Sequence, residues 1–157
     1  MRGWLLRAVV GGLAAASLAA CAGAPPPPPP TIAKLTLAAS ADVNPSPSGQ
    51  ASPIALRIYQ LGSAASFNNA EFFPLYNDDA AALKTDLIKR EDFLLAPGQT
   101  RIDTITPNDQ VKAIGILAAY RDVQHAIWRA TVDVVPHQTS AVTATAGRDG
   151  LTVKPGS

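Results

Sequence analysis

Apolar and polar residues alternate with a period of two over most of the chain after residue 34. Leu35 and Leu37 alternate with Lys34 and Thr36, and Ile54, Leu56 and Ile58 with Ala55, Arg57 and Tyr59. Trp128, Ala130, Val132 and Val134 alternate with Arg129, Thr131 and Asp133, the clearest half-buried strand of the chain. Val142, Ala144 and Ala146 alternate with Thr143 and Thr145, and Leu151 and Val153 with Thr152 and Lys154. Residues 113–120 are apolar at both parities, as a central strand covered on each face would be. Pro97-Gly98 fits the middle of a type II turn between a strand ending near Leu95 and one over residues 101–106. Short strands separated by turns predict an all-β domain built as a two-sheet sandwich.

One stretch departs from this period. In Ser66 to Tyr76, "SFNNAEFFPLY", Phe67, Ala70, Phe73 and Tyr76 fall at helical spacing, with Ser66 placed to cap the start. Pro74 keeps any such helix short or kinked. Asn77-Asp78-Asp79 can cap a second short helix running to Leu83. The expectation is a helical element packed over one end of the sandwich.

The first 33 residues follow different rules. Arg2 and Arg7, with no acid between them, precede an apolar run from Ala8 to Ala20. That run is shorter than the roughly 20 residues a bilayer span needs, and it reads as a secretory signal over residues 1–20. The only cysteine, Cys21, follows it directly, and Pro25 to Pro30 come soon after. No core can form around a cysteine in that setting, since prolines lack the N–H that helix and central strand require. Leu18-Ala19-Ala20-Cys21 resembles the lipobox of bacterial lipoproteins, which implies that Cys21 becomes the acylated first residue of the mature chain. Ala22 stands where an inner-membrane retention signal would place Asp, so the expected location is the periplasmic face of the outer membrane. Residues 21–33 then form a tether of polyproline II character, reaching about 40 Å at most. The proline run reads as a spacer rather than an SH3-type ligand. The domain itself is assigned to residues 34–157.

Composition narrows the functions. Without Arg2 and Arg7 the thirteen basic residues fall to eleven, against twelve acids, so the mature chain is close to neutral. There is no basic stripe for nucleic acid and no second apolar stretch long enough to span a bilayer. With its one cysteine assigned to lipid, the domain holds together without a disulfide. No nucleophile elbow, metalloprotease helix, dinucleotide fingerprint, phosphate loop or paired-cysteine motif is present. His125 and His137 lack a third ligand at metal-binding spacing. Asp122 and His125, three apart, read as solvated turn residues rather than a catalytic pair. No catalytic, metal or cofactor residue is assigned, and the chain is not expected to be an enzyme.

Asn44 to Tyr76, "NPSPSGQASPIALRIYQLGSAASFNNAEFFPLY", resembles the TssJ (SciN-like) lipoproteins of type VI secretion systems. The pieces that carry the resemblance are Ser52-Pro53, Arg57-Ile58-Tyr59-Gln60-Leu61 and Phe72-Phe73-Pro74-Leu75-Tyr76. Pro97-Gly98, the run Ile114 to Asp122 and Ile127-Trp128-Arg129 follow in the same order. The chain departs from the family at Gly49-Gln50-Ala51-Ser52-Pro53, commonly Gly-Arg-Pro-Ser-Pro, and at Tyr120, commonly Phe. The resemblance implies a transthyretin-like sandwich with an added helical element, without cofactor or small-molecule substrate. It also implies an adaptor that binds the periplasmic C-terminal region of TssM, and through it TssL. The contact it implies is the loop after the first strand: Asn44, Pro45, Ser46, Pro47, Ser48, Gly49 and Gln50. Two alternatives stand beside this reading: a lipoprotein that binds a small ligand or peptide in the sandwich mouth, and a hydrolase using Asp122, His125 and a nearby hydroxyl.

Overall fold

Eight strands make two four-stranded sheets in the computed structural model, which describes residues 25–156. The signal segment 1–20 and Cys21 lie outside the described residues. The first sheet has the order β4-β1-β7-β8, from β1 (Ile32–Ala39), β4 (Thr100–Ile105), β7 (Thr139–Ala146) and β8 (Leu151–Pro155). The second has the order β3-β2-β5-β6, from β2 (Ile54–Leu61), β3 (Leu87–Leu95), β5 (Ala113–Ala118) and β6 (Arg129–Asp133). All neighbours are antiparallel except β1 and β7, which run parallel. β1 takes up Ile32 and Ala33, so the folded unit begins just before the boundary read from the sequence.

The period-two positions become the main core. Leu35 and Leu37 of one sheet face Leu56, Ile58 and Ile116 of the other, all fully buried. The Pro97-Gly98 turn forms as expected: Gly98 has φ +76, and the Gln99 amide donates to the Ala96 carbonyl at 3.0 Å. A side chain there would be strained, which is why the turn holds glycine.

The helical element does not close an end of the sandwich. It lies on the outer face of the second sheet and builds another core there, from Tyr59, Leu61, Phe67, Leu75, Leu83, Ala113 and Leu117. This is what makes β5 apolar on both faces. Three short helices carry it: α1 (Ala65–Asn69), α2 (Phe72–Asn77) and α3 (Asp79–Leu83). Phe67 sits over Gly115, where a Cβ would come within 3.1 Å of its ring. Glycine therefore sets how closely helix and sheet approach.

Helices of five or six residues do not hold in water by themselves. Here each is tied to an arginine of the sheet. Arg129 donates to the carbonyls of Phe67 and Ala70 at the end of α1, and Arg57 to Tyr76 in the last turn of α2 at 2.7 Å. These carbonyls lack intrahelical partners, and a cation meets the negative end of the helix dipole. Arg90 pairs with Asp79 in the first turn of α3 at 2.7 Å, and Asp78 caps that helix by accepting from the Ala81 amide. Asp92 links Arg57 and Arg90 at 2.8 and 2.9 Å, joining two of the three ties.

Ser66, expected as an N-cap, lies inside α1 instead. Its hydroxyl donates to Asp86, and α1 starts without a side-chain cap. Trp128, placed on the inward face of a strand, is half-buried just before β6. It packs against both cores and meets Phe72 edge-on, with ring centroids 5.2 Å apart.

Strand directions sort the connections into two ends. β1 rises from the proline segment to the loop over residues 40–53. The 96–99 turn and the connections 119–128 and 147–150 lie at that same end, since β3, β5 and β7 also finish there. The proline segment and the connections 106–112 and 134–138 lie at the other.

Candidate functional site

The loop after β1 is stiffened from within. Val43 is fully buried, and the Ser52 amide donates to its carbonyl at 3.1 Å. At the tip the Ser46 and Gln50 backbones pair: Gln50 O accepts from the Ser46 amide at 2.8 Å, and Ser46 O accepts from the Gly49 amide at 2.8 Å. The Ser46 hydroxyl also bonds Ser48 at 2.8 Å and accepts from the Gln50 amide at 3.2 Å. Pro45 and Pro47 restrict the backbone further.

Asn44 is the residue that fixes this loop to the rest of the sandwich. It is 5% exposed and has φ +48, a left-handed conformation that asparagine tolerates better than most residues. Its Nδ2 donates to the Pro53 carbonyl at 2.9 Å, closing the loop on itself. Its Oδ1 accepts from the Arg121 amide at 2.9 Å, joining the loop to the β5–β6 connection. The sequence reading groups Asn44 with the partner-binding residues, but its polar atoms are already used inside the fold. Pro47, Ser48, Gly49 and Gln50 are all exposed, with Pro45 and Ser46 half-buried beside them.

We expect Asn44→Ala to destabilise the chain by about 1–3 kcal/mol, because two part-buried hydrogen bonds to the backbone are lost. Hydrogen exchange at the Arg121 amide should accelerate as well. An unchanged exchange rate would show that the loop is held by something other than this side chain.

Around Asn44 the loop, the β5–β6 connection and the β7–β8 turn enclose an open cleft of about 640 Å³. Pro45, Pro47, Tyr120 and Ala126 supply apolar wall, while Arg121, Asp122, His125, Arg148 and Asp149 bring charge. Tyr120 is buried, and its hydroxyl donates to the Gly147 carbonyl at 3.1 Å, tying two of the three connections together. Burial pushes its pKa far above the usual tyrosine value, with the Asp149 charge adding to the effect, so it remains a donor at neutral pH.

The Asp122–His125 pair does form: Nδ1 and Oδ1 are 2.7 Å apart, with the Asp122 side chain 71% exposed and that of His125 80%. Ser46 lines the same cleft, yet its hydroxyl is engaged by Ser48 and Gln50, not by the imidazole. Such a pair in open solvent lacks the burial and the bonded nucleophile that activation of a hydroxyl requires. Among the described residues no group of three or more His, Cys, Asp or Glu side chains could hold a metal ion.

Residues 31–149 match the family described as type VI secretion lipoprotein, with VasD, EvfM and TssJ among its names. The fold is similar to the type VI secretion lipoprotein TssJ1 from Pseudomonas aeruginosa, at 36% identity and a TM-score of 0.80, over 82% of this chain and 98% of that one. It is similar to Lip from Serratia marcescens, a membrane-bound component of the type VI secretion system, at 27% identity and a TM-score of 0.74, over 82% and 98%. A chain of a type VI membrane complex aligns at 25% identity and a TM-score of 0.67, over 80% and 98%. No curated protein matches the sequence.

Proposed function

The chain belongs to the type VI secretion lipoprotein family, and from that premise we propose that it is an adaptor on the periplasmic face of the outer membrane. This is a family of secretion-system lipoproteins, not of enzymes. In our reading Cys21 carries the lipid, residues 22–31 form the tether, and the folded unit binds the periplasmic C-terminal region of TssM. Through TssM it is connected to TssL and the inner membrane.

The observation that carries this reading is the pre-organised loop at the end of the sandwich remote from the tether. Pro45 and Pro47, the bonded tip and the Asn44 clasp have already removed most of its conformational freedom. A loop so constrained loses little entropy on docking, which favours recognition of a protein surface.

Replacing Pro45 to Gln50 by a Gly-Ser segment of equal length is expected to weaken TssM binding at least tenfold, about 1.4 kcal/mol, while leaving the fold intact. The measurement is the affinity of the folded domain for the TssM periplasmic region, with circular dichroism as the fold control. Unchanged affinity in a folded variant would move the interface elsewhere, first to the helical face, where Phe73 is 60% exposed.

The cleft beside the loop favours a second reading. At about 640 Å³ it lies within the usual range of small-ligand sites, about 300–1,000 Å³. A ligand held there would raise the melting temperature of the chain without TssM present.

A further inference from the structure

We propose that the proline tether is docked on its own domain and holds it in one orientation, with residues 44–50 turned away from the membrane. This goes beyond the adaptor reading and rests on it in one respect: Cys21 must be the point of attachment to the membrane.

A polyproline segment has no N–H groups and no internal hydrogen bonds, so only its carbonyls can hydrogen-bond to anything else. Here one does. His137 Nδ1 donates to the Pro29 carbonyl at 3.1 Å, and the His137 amide donates to the Thr31 hydroxyl oxygen at 2.9 Å. The Ile32 amide then donates to Gln138 O at 2.9 Å, and from there β1 runs in parallel register with β7. Three successive contacts thus carry the tether into the sheet without a free joint.

His137 itself has φ +59, a conformation costly for a residue with a side chain. In it both the amide and the ring reach the tether, which offsets that cost. Because the prolines are stiff, fixing Pro29 also fixes the direction of the segment before it. Residues 25–30 make a rod of about 19 Å. Only Ala22, Gly23 and Ala24 stand between that rod and Cys21.

The tether joins β1 at its first residue, and the 40–53 loop leaves at its last. Eight residues of strand at about 3.3 Å each separate the two ends by about 26 Å. A docked rod therefore presents the 106–112 and 134–138 connections to the membrane and the loop to the periplasm beyond.

The test uses the full lipidated protein in vesicles of phosphatidylethanolamine and phosphatidylglycerol with an acceptor dye at the bilayer surface. A donor is attached either at the far end, through Ser48→Cys, or at the near end, through Asp109→Cys. Both positions are exposed. Energy transfer should be at least twofold stronger from the near position, because the two sites differ in height by about 26 Å. Inserting four Gly-Ser residues between Pro30 and Thr31 should abolish the difference without changing the melting temperature. Equal transfer from the two positions in the unmodified tether would overturn the proposal, as would a difference that survives the insertion. Protein that never associates with vesicles would overturn the attachment at Cys21 itself, a distinct result.

Discussion

Phe67→Ala is expected to cost about 3–5 kcal/mol, the scale for deleting a large aromatic from a core that cannot collapse around the gap. Phe67 is fully buried between α1 and the second sheet, with its ring against Gly115 and 5.4 Å from that of Tyr59. Glycine supplies no side chain to fill the space, and the neighbouring strands are fixed by their own pairing. The cost is a large part of the roughly 5–15 kcal/mol that holds a domain together. For a unit of this size it corresponds to a fall in Tm of about 10–20 °C. Thermal unfolding followed by circular dichroism reads it directly. A shift of only a few degrees would mean that the helical layer contributes little to holding the sandwich.

Cys21→Ser is expected to release the protein from the membrane almost completely. Acyl chains anchor through about 0.8 kcal/mol per buried CH₂, and two or more are needed for stable attachment. Serine removes the sulfur to which the first would be joined. Among the described residues no helix is long and apolar enough to cross a bilayer. The exposed large apolar residues Phe73, Leu94, Ile102, Ile127 and Val135 lie on different elements and connections. Fractionation should move the variant to the soluble periplasm or leave it as uncleaved precursor. Palmitate incorporation equal to that of the unmodified chain would contradict the assignment.

Much of the sandwich is visible in the sequence because a strand covered on one face must alternate. Leu35 and Leu37, Val142 and Ala144, and Leu56 and Ile58 are all read correctly on that ground. The two-faced apolar run at residues 113–118 also signals that something covers its outer side. What covers it is not legible, because helical spacing shows that a helix has an apolar face but not which surface receives it. Tyr59 and Leu61, apolar at the opposite parity to Ile58 on the same strand, are the signal that could have placed the helices there.

The ties are harder to see. Arg57, Arg90 and Arg129 look like ordinary solvent-facing positions of alternating strands, and only the fold brings helix ends above them. Asn44 has the same problem: as a polar residue among prolines and serines it reads as surface. Its role depends on Arg121, 77 residues away along the chain.

The parallel pairing of β1 has a mechanical consequence. Tension between the membrane and a partner held at the loop would enter this domain near Thr31 and leave near Asn44. These points flank one strand, so much of the load travels along the backbone of β1, the rest passing through the Asn44 clasp to the start of β2 and to Arg121. A strand is already close to the greatest length its residues can span, and it yields little when stretched. To slide it out, its bonds to β4 on one side and β7 on the other would have to shear together, not open one by one. The sandwich then works as a sleeve around a taut cord, keeping the loop in shape while force passes through.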